Sequence, residues 1–162
     1  MRPGSLSHAA FIARFGPVYE ASPWVAEGVW PAVEAGGLDE PAALARAMRA
    51  EVDAAPREMQ LALIRAHPEL ASRARMADAS VREQAGAGLD QCSRAEFEAF
   101  QRLNGAYNAR FGFPFIVAVK GLTRADILAV FEARLENDPE AEFATAIEQI
   151  HRIAGFRLAG LT

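Results

Sequence analysis

Apolar residues recur along this chain at intervals of three and four, and no stretch alternates apolar with polar residues long enough to predict a strand. Phe11 and Phe15 stand four apart in a first helix that Ser5 or Ser7 can cap and Gly16-Pro17 ends. Ser22-Pro23 reads as N-cap and first-turn proline of a second, with Trp24, Val25 and Val29, lasting until Gly36-Gly37. Asp39 starts a third, carrying Leu44, Met48 and Val52. A fourth runs from Pro56 to Ala66 and stops at His67-Pro68, because the residue before proline avoids the α region. A short helix is expected after Pro68, and Ser80 opens a segment with Glu83, Gln84, Gly86 and Gly88. Ser93-x-x-Glu96 is a capping box leading a long helix with Phe97, Phe100, Tyr107 and Phe111, closed by Gly112. The apolar run 113–119, FPFIVAV, is kept from being simply helical by its proline. Thr123-x-x-Asp126 and Asp138-Pro139 open the last two helices, the final one reaching nearly to the end. With no repeat and no low-complexity linker, the expectation is all-α: one domain over residues 1–162, with about eight helices of ordinary length.

Composition narrows the classes. Half of the 162 residues are hydrophobic (51%) and 23% are charged, which suits a globular domain with a sizeable core. The formal net charge of -4, with no block of Lys and Arg, argues against a nucleic-acid partner. An anionic small molecule remains compatible, because one well-placed Arg can bind it. Cys92 is the single cysteine, so no internal disulfide and no thiolate-rich metal site is expected, and a reducing compartment is the natural reading. No apolar run is long enough to cross a bilayer, and the N-terminal MRPGSLSHAAFIARFG lacks the apolar core of a signal peptide. RLAGLT at the C-terminus carries no retention, peroxisomal or prenylation signal.

Three groups of residues could carry chemistry. His67 stands where a helix stops and proline stiffens the chain, so its place is set by the backbone. It suits proton transfer near neutral pH, and its place also suits a helix-end histidine bonding the last carbonyls. Ser80, Glu83 and Gln84 share one face if helical and could grip an amide- or urea-like ligand; Ser-x-x-Glu is also a capping box. In the last helix, Arg157 falls on the apolar stripe of Phe143, Ile147, Ile150, Ala154 and Leu161. There it is either an internal salt bridge or a fork for a ligand carboxylate. The run from Phe113 to Val119 is core by default, yet its non-helical backbone needs partners, and a flat heterocycle would supply them. Gly121 just after it would permit close approach. There is no GxGxxG, P-loop, HExxH pair or GxSxG elbow. His8, His67 and His151 are far apart in sequence, and no metal is expected.

Taken in order, five blocks resemble the OHCU decarboxylases, OHCU being 2-oxo-4-hydroxy-4-carboxy-5-ureidoimidazoline. They are FGPVYEASPWVAEGVW, AHPELA, SVREQAGAGL, LNGAYNARFGFPFIVAVKG and NDPEAEFATAIEQIHRIAGFRLAGL, and the resemblance covers the chain from about Phe11 to Leu161. The resemblance implies an all-α homodimer with no metal or organic cofactor, and the reducing compartment read from the single cysteine makes the expected location cytoplasmic. It would release CO2 from OHCU to give (S)-allantoin, the last of three steps starting from urate. Matched by position, His67 and Glu83 become catalytic candidates, handling the proton and the substrate hydroxyl. Pro68, Ser80, Gln84 and Arg157 become substrate-binding candidates, with backbone contacts falling within Val117, Ala118, Val119, Lys120 and Gly121. Ser72 and the segment Met76-Ala77-Asp78-Ala79 depart from the family pattern, which touches only the loop shape before Ser80. Two rival expectations stand beside this: a helical binding domain without turnover, and a different reaction, such as hydrolysis, on a related ureido or purine-derived acid.

Overall fold

The computed structural model describes residues 2–71 and 78–161; Ser72, Met76 and Ala77, and most of the short helix expected after Pro68, lie outside them. Among the described residues there are eight α-helices and no strand: α1 His8–Phe15, α2 Trp24–Glu34, α3 Pro41–Ala54, α4 Arg57–Ala66, α5 Asp78–Gly86, α6 Arg94–Phe111, α7 Arg124–Arg134 and α8 Pro139–Leu161. They form two compact units, one of residues 1–66 and 151–162, the other of residues 67–150.

In the first unit, Ser7 caps α1 by accepting the Ala10 N–H at 3.1 Å. The expected Ser22 cap is absent, and the third helix starts later than Asp39. Ser22 donates its hydroxyl to the Glu20 carbonyl, and Pro23 takes the N-cap position of α2 without a side-chain bond. Asp39 accepts the Gly4 N–H, so Glu40 stands at the N-cap of α3 and Pro41 sets the first-turn φ. The α2–α3 pair buries Val25, Ala26, Val29, Val33, Leu44, Met48 and Val52. Phe11 stacks on Phe15 at 4.9 Å and meets Trp30 at 5.3 Å.

In the second unit both predicted capping boxes form, Ser93 with Glu96 on α6 and Thr123 with Asp126 on α7. Gly112 ends α6 in the left-handed region, φ 76°, which a residue with a Cβ resists. Residues 113–119 are irregular and buried. Phe115 lies flat on Phe131 at 3.9 Å, and Tyr107 meets Phe111, Phe113, Phe115 and Phe131 edge-on or tilted.

An irregular buried run needs partners for its polar backbone. Arg134 supplies one, donating Nη1 to the Ile116 carbonyl at 2.5 Å while its guanidinium lies 4.4 Å from the Phe115 ring. Its Nε binds Glu142 at 2.6 Å, and Tyr107 and Asn137 donate to the same carboxylate. Burial, together with that carboxylate, holds the Tyr107 phenol far above its ordinary pKa, so it stays a donor. Gln149 accepts the Ala118 N–H at 2.9 Å, and Leu122 N–H closes a turn onto Val119.

Candidate active site

His67 is the first residue after the last turn of α4, and only 7% of it is exposed. Pro68 follows, half-buried, and the chain turns through residues 69–71 with Ala71 at φ 53°. Those three residues are held by side-chain amides. Gln84 of α5 accepts the Ala71 N–H at 3.1 Å and donates to the Glu69 carbonyl at 3.3 Å. From α6, Asn104 donates to the Leu70 carbonyl at 3.0 Å and Gln101 to the Ala71 carbonyl at 3.2 Å. Asn108 donates to the Glu69 carboxylate at 2.6 Å. The segment that carries His67 is thereby tied to two helices.

The expected trio falls on one helix. Helix α5 already includes Asp78 and Ala79, so Ser80 lies within it and is not its cap; the capping-box reading does not fit. Ser80 and Gln84, four apart, are both buried, and Glu83 between them is half-buried. Gln84 uses one direction of each end of its amide on the backbone of 69–71, and a carboxamide has a second direction at each.

Of the expected backbone contacts, Val117, Ala118 and Val119 are buried, and Lys120 and Gly121 are exposed. Gly121 has φ 83°, a turn conformation suited to glycine. Because Ala118 N–H already binds Gln149, a ligand at that group would have to displace a side chain. His67, Pro68, Ser80, Glu83, Gln84 and residues 117–121 all belong to the second unit.

Arg157 belongs to the first unit, and there the internal salt bridge is present. Its Nη1 lies 2.8 Å from Glu20 Oε2 and donates to the Pro17 carbonyl at 3.2 Å; the two side chains are 8% and 5% exposed. Near by in sequence, the Tyr19 hydroxyl shares a 2.8 Å hydrogen bond with His151 Nδ1, whose Nε2 lies 2.9 Å from Asp53. Neither Glu20 nor this string was anticipated. Burial and the nearby Glu96 carboxylate raise the Cys92 thiol above its ordinary value, which disfavours the thiolate. No group of three His, Cys, Asp or Glu side chains among the described residues could hold a metal ion. Among the described residues no helix is long and apolar enough to cross a membrane.

Comparison with known proteins speaks with one voice. The family model described as OHCU decarboxylase matches residues 4–159. A relative from Haloferax volcanii, named 2-oxo-4-hydroxy-4-carboxy-5-ureidoimidazoline decarboxylase, is 47% identical over 154 residues, 95% of this chain and 90% of the relative. The protein of that name from Mus musculus is 33% identical over 165 residues, 99% of this chain and 91% of its own. A crystal structure of (S)-allantoin synthase matches with a TM-score of 0.80 at 35% identity, covering 98% of this chain and 52% of that one. One of OHCU decarboxylase in the presence of (S)-allantoin matches with a TM-score of 0.74 over 90% of this chain and 95% of that one; at 23% identity it speaks for the fold alone. The chain belongs to the OHCU decarboxylase family.

Proposed function

We propose that this protein removes CO2 from OHCU to give (S)-allantoin, the last step of urate degradation. The observation that carries the reading is the 47% identity, over 95% of the chain, to a relative named for that reaction. The continuous family match over residues 4–159 supports treating 1–162 as one functional domain.

The chemistry needs no separate electron sink. The carboxylate leaves from a carbon that also bears the hydroxyl and adjoins a ring C=N. The electron pair of the broken C–C bond forms a C=C bond between the two ring carbons, while the C=N pair moves onto nitrogen, which takes a proton. The resulting enol loses its hydroxyl proton to become the carbonyl, and the ureido-bearing carbon gains a proton on one face, setting the S configuration. The enzyme must therefore orient the ring, neutralise moving charge and deliver that proton.

In this reading His67 and Glu83 handle the proton delivered to carbon and the substrate hydroxyl. Pro68, Ser80, Gln84 and backbone groups within Val117 to Gly121 hold the ureido ring, and Arg157 binds its anionic or carbonyl oxygens. Burial of His67, Ser80 and Gln84 supports these roles, because a dry site strengthens each polar contact. The protein works as a cytoplasmic homodimer without metal or organic cofactor. The test is freshly prepared OHCU followed by ultraviolet absorbance and circular dichroism, against spontaneous decay without enzyme. Faster and enantioselective allantoin formation is expected. Decay at the background rate, or ammonia in place of CO2 as product, would refute the proposal.

A further inference from the structure

The amides around residues 69–71 do more than satisfy a loop. Three come from one face of α6: Gln101, Asn104 and Asn108 stand three and four apart, the spacing that aligns side chains on a helix. Asn104 is the innermost, 2% exposed. Its Nδ2 meets the Leu70 carbonyl, while its Oδ1 is buried with no hydrogen-bond partner among the described residues. A buried acceptor without a donor is unfavourable, so stability alone is a poor account of an asparagine here. Leu70 is three residues beyond His67, with the stiff ring of Pro68 between them. Fixing the Leu70 carbonyl therefore fixes the direction in which the chain leaves His67.

We propose that Asn104 is a positioning residue, setting the placement of the His67 imidazole through the Leu70 carbonyl. This rests on the reading of His67 as the proton-transfer residue. Gln84, Gln101 and Asn108 grip the flanking groups of the same turn, so Asn104 is the central contact of a clamp with four amides. Small displacements of a proton donor reduce the chemical step far more than ground-state binding.

The experiment uses the full chain with N104A, H67N and the double variant. The protein has three histidines, so H67N assigns the His67 ring signals in a histidine-selective spectrum. In folded N104A, the His67 ring resonances should move, and kcat should fall on the order of 10- to 100-fold with KM changed less than about threefold. In the H67N background the same substitution should have little further effect on kcat. Unmoved His67 resonances overturn the proposal, as does a kcat loss of equal size in the H67N background. If N104A fails to fold, N104D keeps the shape while removing the donor and is read in the same way. Wild-type activity in H67N itself would sink the catalytic reading of His67, an outcome separate from the spectral response to N104A.

Discussion

Arg134→Met offers the sharpest test of how the buried run 113–119 is held. Arg134 and Glu142 are 9% and 0% exposed and lie 2.6 Å apart. Removing the guanidinium leaves Glu142 charged in the interior with Tyr107 and Asn137 as its described side-chain partners. Breaking a buried pair from one side typically costs about 3–5 kcal/mol. The Ile116 carbonyl also loses its donor, for about 1–3 kcal/mol more, and the two losses overlap because the residues share one network. A total near ~4 kcal/mol is a large part of the 5–15 kcal/mol of an ordinary domain and lowers Tm by roughly 8–16 °C. Thermal and urea unfolding followed at 222 nm would measure it. The double variant Arg134→Met/Glu142→Leu should recover more than half of the loss, since no lone charge is left inside. A single variant within about 1 kcal/mol of wild type, or a double variant worse than the single, would refute the account.

Further outcomes follow from the same structure. His67→Asn should lower kcat by at least ~10²-fold while the folded chain keeps its helical spectrum, checked by initial rates corrected for spontaneous decay. Ala71→Gly should raise stability by about 0.5 kcal/mol, because Ala71 holds φ 53° and glycine adopts it without the Cβ penalty; urea unfolding decides. Acid should weaken the α6 and α7 caps. The Ser93 N–H, aided by Arg124, lowers the folded pKa of Glu96, and the Thr123 N–H lowers that of Asp126. Their stabilisation is therefore full above the ordinary values of 4.5 and 3.8 and fades as pH falls below them. Glu96→Gln with Asp126→Asn should flatten the pH dependence of Tm in that range, and an unchanged slope would count against it.

Elements announced by their own ends were legible before the structure. The Ser93 and Thr123 boxes, Gly112 and Asp138-Pro139 mark their helices because a cap is a local bond among neighbouring residues. Ser22 and Asp39 had the right residue types but gave their oxygens to Glu20 and Gly4, and nothing in a short window separates those outcomes. Ser80 likewise has a cap's residue type yet lies inside α5, which already includes Asp78. The candidate site was legible as residue types at helical spacing, while the clamp on 69–71 was not. Its signal was present in Gln101, Asn104 and Asn108, a polar stripe beside the aromatic one. Its target lies 30 to 39 residues upstream, beyond any pattern along the chain.

Arg134 and Arg157 show why a cation on an apolar stripe does not by itself reveal a ligand. Each sits in a helix among buried residues, and each binds a carboxylate and a backbone carbonyl of its own unit. Geometry makes them alike, and the family resemblance alone separates them. Kinetics can separate them physically. Arg157→Lys keeps the charge and much of the pairing with Glu20 but loses the planar fork. If Arg157 binds the substrate, one charge-assisted bond is lost from both ground and transition state, about 1.5–3 kcal/mol, which raises KM roughly 10- to 150-fold at nearly constant kcat. Glu20→Gln should instead lower Tm, because it removes the negative charge facing the buried guanidinium, and should raise KM only as far as the fork swings. A Lys variant that loses stability yet keeps wild-type KM and kcat would place Arg157 with Arg134, as an internal pair and nothing more.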